Sequence, residues 1–300
     1  MMQEKELSRL KGFFLDLLNG MAIGVAFIIP GFSGGSIAAI LGIYEKLVGA
    51  IADIFKSFKK SIATLLPIAL GMVLGVLMLL FPLSWALGAY PLPTVCLFVG
   101  LALGGIPSIT EKTGGKPSVK NLFALFIPLI LAASLSFLPL GNEVDLLGLN
   151  LGGHFLLFFI GMLGSTALVV PGISGSMILL ILGYYNPLVS LITDNLLMGK
   201  DFMASALVLL CTALGIAVGF FLVSIVMKIL FKRCPIGTYF AILGFIIGSI
   251  PAIYASTMAD AGLTLSTLPT SVWHWGACVI LLLLGASLSL FLVKKSRAKG

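Results

Sequence analysis

The sequence predicts an all-α integral membrane protein built as an inverted-topology repeat. Each half is expected to hold one re-entrant, PG-tipped helical hairpin and three transmembrane helices, with both termini cytoplasmic. Three observations lead there. Hydrophobic residues form 59% of the 300-residue chain and charged residues only 10%, with a mean hydropathy of +1.18. A soluble domain carries about 25% charged residues to cover its surface, so a water-facing globule is excluded. Two long stretches repeat one another, and the lysines and arginines are spaced so that they gather on one side of a bilayer.

Residues 1–18 mix Glu4, Glu6 and Asp16 with Lys5, Arg9 and Lys11. They read as an amphipathic helix on the membrane surface and lack the basic-then-apolar order of a signal peptide. The first repeat, 19–145, opens with the uncharged stretch Leu17–Tyr44, which contains the hairpin tip. Asn19–Ile29 gives about 16 Å of helix, roughly half of a ~30 Å hydrocarbon core, which favours a re-entrant arm. Ser61–Thr110 is too long for one crossing and contains Pro82, Pro91 and Pro93, so it predicts two helices and a turn. Asn121–Asn142 supplies the third crossing.

The second repeat, 146–293, runs through Leu146–Thr193, Phe202–Met227, Cys234–Ala259 and Ala261–Val293, and 294–300 is a basic cytoplasmic tail. The apolar runs are continuous rather than alternating, which argues against a barrel. Cys96, Cys211, Cys234 and Cys278 are scattered, without a CxxC, and read as small hydrophobes.

The repeat is explicit. Asn19–Asp53 and Ile160–Asp194 align without a gap at 16 identities in 35 positions, among them Pro30/Pro171, Gly31/Gly172, Ser33/Ser174, Gly34/Gly175, Gly42/Gly183 and Tyr44/Tyr185. The match resumes with Gly71 and Gly75 on Gly215 and Gly219, Pro91 on Pro235, and Phe98–Ile109 on Ile242–Ile253. If each PG segment enters and leaves on one side, 17 of the 18 basic residues are cytoplasmic and only Lys200 is outside; a single crossing would split them ten against eight. The even count obeys the positive-inside rule. Three remaining crossings per half then turn the second half upside down, as in many secondary transporters. The net charge of +7 is thus an orientation signal, not a nucleic-acid footprint.

The chemistry is expected at the tips, Pro30–Ser36 and Pro171–Met177. Proline ends the incoming helix and glycine permits reversal. Ser33 and Ser174 are N-cap types for the outgoing helices, and Gly34, Gly35 and Gly175 leave the first N–H groups unshielded, beside Ser36 and Ser176. Such N–H groups at a helix start suit a phosphate or carboxylate. One copy would be read as a turn that simply needs Pro, Gly and Ser. Two copies facing each other favour an anion or ion site.

No Lys or Arg lies deep in an apolar run, so basic side chains could help only near the cytoplasmic face, where Lys46 is nearest in sequence. Glu45, with Tyr44, its repeat partner Tyr185, and Glu111, are candidates for ion coupling or gating, against the plainer reading of solvated boundary groups. His154 and His274 stand singly at expected helix starts and form no metal-ligand set. No HExxH, paired intramembrane Asp or Arg–His–Asp constellation is found, so catalysis and cofactors are not expected.

Pro30–Val48, Phe98–Pro107 and Pro171–Val189 resemble the bacterial and archaeal PopT family, formerly a family of unknown function. The resemblance covers essentially the whole chain. Near Phe27 the family more usually carries a polar residue. The resemblance implies a prokaryotic plasma-membrane flippase that returns undecaprenyl phosphate from the outer to the cytoplasmic leaflet for reuse in cell-envelope synthesis; a proton or sodium ion is the candidate coupling partner. A transporter or channel for a small ion, using the same tips, is the alternative.

Overall fold

The computed structural model describes residues 2–28, 33–114, 117–135, 137–138, 141–192, 201–262 and 271–297. Twelve α-helices cover most of them, and no strand occurs among the described residues. The first half contains α1 (Met2–Ile28), α2 (Gly34–Ile40), α3 (Tyr44–Ala52), α4 (Phe58–Ala89), α5 (Pro91–Thr110) and α6 (Val119–Leu135). The second contains α7 (Leu151–Val169), α8 (Gly175–Ile181), α9 (Tyr185–Ser190), α10 (Phe202–Arg233), α11 (Pro235–Asp260) and α12 (Val272–Arg297).

Ser61–Thr110 is divided as expected, and the division falls at Tyr90, where Pro91 opens α5 without an N–H to continue the preceding ladder. Pro67 and Pro82 are carried inside α4, so Pro82 marks no break. Among the described residues, six helices are long and apolar enough to cross a membrane: parts of α1, α4, α5, α10, α11 and α12. α6 and α7 are apolar but shorter.

α1 departs from the expected division. It is one unbroken helix of 27 residues, so residue 18 marks no boundary and the charged start continues into the apolar arm. An arm of that length is about 40 Å, well beyond the half-depth inferred from Asn19–Ile29.

Four helix pairs make up most of the packing: α1 with α4, α7 with α10, α5 with α12, and α11 with α6. The first two are repeat counterparts, and so are the last two. The second set crosses between halves, so each half completes the other. Glycines explain the closeness. A Cβ at Gly71 would stand 2.0 Å from the Leu17 carbonyl oxygen, and one at its counterpart Gly215 would stand 2.0 Å from that of Phe158. Gly100 and Gly104 press likewise on Leu282 and Ala286 of α12, and Gly244 and Gly248 on Leu125 and Leu129 of α6. Small residues four apart let backbones touch where lipid gives no hydrophobic drive for association.

Candidate functional site

Each half has a seven-residue helix, α2 or α8, after its PG motif, and every residue of α2 is buried. Pro30 and Gly31 lie outside the described residues. Ser33 and Ser174 occupy the N-cap positions of α2 and α8 with extended backbones, yet neither hydroxyl caps its helix. Ser33 Oγ points to the Val170 carbonyl at 3.5 Å, and Ser174 Oγ pairs with Ser176 Oγ at 2.8 Å. The tips therefore meet. A Cβ on Gly35 would lie 3.0 Å from the Val169 carbonyl oxygen and 3.3 Å from Pro171 Cα. Gly172, at φ +85°, is seated on the Phe245–Ile246 backbone of α11, where a side chain would stand 2.3 Å away. Ser36 is only 1% exposed, and its hydroxyl has no hydrogen-bond partner among the described residues. An unmet buried hydroxyl costs about 1–3 kcal/mol.

A cavity of about 260 Å³ lies against this junction. Gly34, Gly35, Tyr44 and Val169 form its tip end, and Ile23, Ile68 and Met72 of α1 and α4 continue it. Its walls include Phe27 and Ala69, both exposed, so it reaches the surface. Apart from the main chain and the Tyr44 ring, the lining is aliphatic or aromatic hydrocarbon and thioether.

The return helices stop after seven residues each, and the sequence holds the reason. Gly42 and Gly183 adopt φ +75° and +78°. Gly42 N–H donates to Ala39 O and Ile43 N–H to Ala38 O; Gly183 N–H donates to Leu180 O and Tyr184 N–H to Leu179 O. Both are Schellman C-caps, which favour glycine because only it adopts the left-handed backbone without strain. The chain does not run straight on after the first cap: α3 leaves α2 at 119°.

Around the first turn, side chains from four elements converge on α3. Tyr44, 3% exposed, donates its hydroxyl to the Val169 carbonyl at 2.6 Å, and its ring meets Phe231 edge-on at 5.7 Å. Glu45 accepts from the Tyr239 hydroxyl, which in turn accepts from Lys112 Nζ at 3.2 Å. Lys46 contacts both carboxylate oxygens of Asp16, at 2.7 and 2.6 Å, and Asp53 pairs with Lys228. Ser108 Oγ donates to Ile40 O at the end of α2.

The second turn is held differently. Gly141 N–H donates to Leu180 O and Val144 N–H to Gly183 O, so main chain seals it. Tyr185 is 37% exposed, and Asn186, the counterpart of Glu45, donates to Glu143.

Residues 23–267 match the undecaprenyl phosphate translocase-like family, which is four-fifths of the chain. The chain belongs to that family. Among its relatives, the polyprenyl-phosphate transporter of Staphylococcus aureus is 28% identical over 282 residues, covering 93% of this chain and 95% of the relative. The polyprenyl-phosphate transporter of Vibrio cholerae is 36% identical over 97 residues, 32% of this chain and 30% of its own. No solved structure matches.

In this family member, Ser33, Gly34, Gly35 and Ser36 stand at the junction with Val169–Pro171, and Tyr44 joins it from α3. Glu45 is near Lys112 through Tyr239, and Glu111 lies beside Lys112 around a separate cavity under the first turn. Tyr185 is away from this cluster, and Lys46 is committed to Asp16. Sequence reasoning missed Tyr239. Its repeat counterpart is Val95, so comparing halves gave no signal for it.

Proposed function

We propose that this chain is a flippase for polyprenyl phosphate, undecaprenyl phosphate in particular, working from the outer to the cytoplasmic leaflet to recycle the carrier of cell-envelope synthesis. The observation that carries this reading is the apolar cavity that runs from the exposed Phe27 and Ala69 to Gly34 and Gly35. A prenyl chain needs a hydrocarbon-lined lateral opening, whereas a small ion needs a closed polar path. The names of the two relatives agree with the lipid.

The phosphate is held where the tips meet, by the backbone N–H groups and hydroxyls of Ser33–Ser36 and Ser174–Ser176, with Pro30, Gly31, Pro171 and Gly172 shaping the reversals. The unpartnered Ser36 hydroxyl supports this, since a phosphate oxygen would satisfy it. The prenyl tail stays in lipid while the head group crosses.

The membrane arrangement belongs to the same proposal: two re-entrant hairpins in inverted halves of a prokaryotic plasma-membrane protein, with N- and C-termini cytoplasmic. Alternating access comes from rocking of one repeat against the other. The Tyr44 bond to Val169 and the Glu45–Tyr239–Lys112 chain are contacts such a motion would break. A proton or sodium ion is the coupling partner, and Glu45 is the first carboxylate to test, ahead of Glu111. Lys46 attracts head groups only if it leaves Asp16.

The test is reconstitution in liposomes with undecaprenyl phosphate and a leaflet-specific head-group probe, with and without a pH gradient. Protein-dependent movement of the lipid is expected. A static lipid together with flux of a small anion would favour the ion-transport alternative and overturn this reading.

A further inference from the structure

We propose that Lys112 is a second binding point for a phosphomonoester head group, beneath the Leu41–Ile43 turn, kept in reserve by Tyr239. The inference rests on the transport reading above and adds a residue and a location to it.

Three lysines surround α3, and they are not equivalent. Lys46 and Lys228 are each neutralised by an aspartate, Asp16 and Asp53. Among the described residues, Lys112 makes no direct ion pair. It donates instead to the uncharged Tyr239 hydroxyl at 3.2 Å, with its ammonium 5.2 Å from the centre of that ring. A phosphate oxygen is a better acceptor for the ammonium than a phenol, because it adds the attraction of opposite charges to the hydrogen bond.

There is room for such an anion. A cavity of about 260 Å³ is lined by Gly42, Ser108, Glu111 and Lys112, with Ile40 and Val293 as apolar walls. Lys112 Nζ lies 3.9 Å from where a Cβ on Gly42 would stand, so the ammonium sits beside the turn without touching its backbone.

The exchange leaves nothing stranded. When Lys112 turns to the phosphate, Tyr239 keeps its bond to Glu45, so the buried phenol and the carboxylate stay satisfied. Two carboxylates are near the lysine, Glu111 beside it in the cavity lining and Glu45 beyond Tyr239. Both repel a phosphate, so the site is weak by construction. Weak holding suits a point from which cargo must depart. Capture of Lys112 removes the link between the turn after α5 and Tyr239 of α11, while the Tyr239–Glu45 bond goes on holding α3 to α11.

The test is equilibrium binding of radiolabelled farnesyl phosphate to the purified full-length protein in detergent, with farnesol and inorganic phosphate as competitors. Wild type should bind, and Lys112→Gln should weaken binding about tenfold, with Lys112→Arg restoring most of it. Glu111→Gln should tighten binding about threefold, because a like charge is removed. Lys228→Gln, which removes the same charge from the same end, should change it by less than about twofold.

Equal binding by wild type and Lys112→Gln, or weaker binding by Glu111→Gln, would overturn the Lys112 assignment while leaving the transport reading intact. A wild-type protein that does not bind farnesyl phosphate would overturn both. Competition by inorganic phosphate at the same concentration as farnesyl phosphate would assign a free phosphate, and not a lipid, as the ligand.

Discussion

At the first hairpin the return helix ends at Gly42 beneath a lysine, a serine hydroxyl and an open cavity. At the second, the same motif ends at Gly183 under the extended segment Gly141–Val144, which closes it with two main-chain hydrogen bonds. Two local sequences as similar as LGIY and LGYY thus make the same C-cap, and their surroundings give them different work. Side-chain latches can be exchanged for a ligand, whereas a main-chain seal has nothing to exchange with. The first turn is thus held by side-chain contacts that a ligand could replace, and the second by main chain.

The most disruptive way to probe this comparison is to place a side chain at each cap. Gly183→Ala would set a Cβ 2.0 Å from the Asn142 carbonyl oxygen in addition to the left-handed strain, so a loss of about 4 kcal/mol or more is expected. Gly42→Ala meets only Lys112 Nζ at 3.9 Å, and the backbone term alone, about 1–2 kcal/mol, should remain. Melting temperatures in detergent would rank the pair, and equal losses would contradict the difference in surroundings.

Next in size is the tyrosine pair. Tyr44→Phe removes the buried bond to Val169 and should cost about 1–2 kcal/mol in the same assay. Tyr185→Phe, at an exposed position, should cost less than about 0.5 kcal/mol. A Tyr185 effect as large as that of Tyr44 would restore the symmetry the repeat suggests.

The smallest effect is expected from the ion pair of α1 with α3. Asp16→Asn leaves the half-exposed Lys46 able to turn to water, so a change of about 1 kcal/mol or less is expected. Its informative readout is head-group binding, since freeing Lys46 should increase attraction for farnesyl phosphate. Unchanged binding would remove Lys46 from the account.

Much of this was legible in the residues. Continuous apolar runs foretold the helices, and Pro91 foretold the break that opens α5. The glycines shared by the halves proved to be contact points between paired helices. Other features depend on distant partners. LGIY contains the C-cap signal, glycine followed by an apolar residue, but identity between halves drew attention to what Gly42 shares with Gly183 and away from what it does to α2. Ser33 and Ser174 have the residue type and backbone of N-caps, yet Ser33 Oγ turns to the Val170 carbonyl of the other half and Ser174 Oγ to its near neighbour Ser176. Lys46 looked available because Asp16, 30 positions earlier, could be recognised as its partner only in the fold. Tyr239 breaks the repeat, and a reading guided by symmetry passes over what symmetry lacks.

The central claim is that lipid head groups cross at the junction of the two tips. It is tested most directly by lipid movement in proteoliposomes containing Gly34→Val or Gly175→Val. At Gly34 the added Cβ meets the end of the Phe27 ring at 2.9 Å, a neighbour that can move, and so fills the cavity without forcing backbone apart. The account predicts that both variants insert and purify like wild type, yet move no more undecaprenyl phosphate than protein-free liposomes. Wild-type flux in either variant would contradict it.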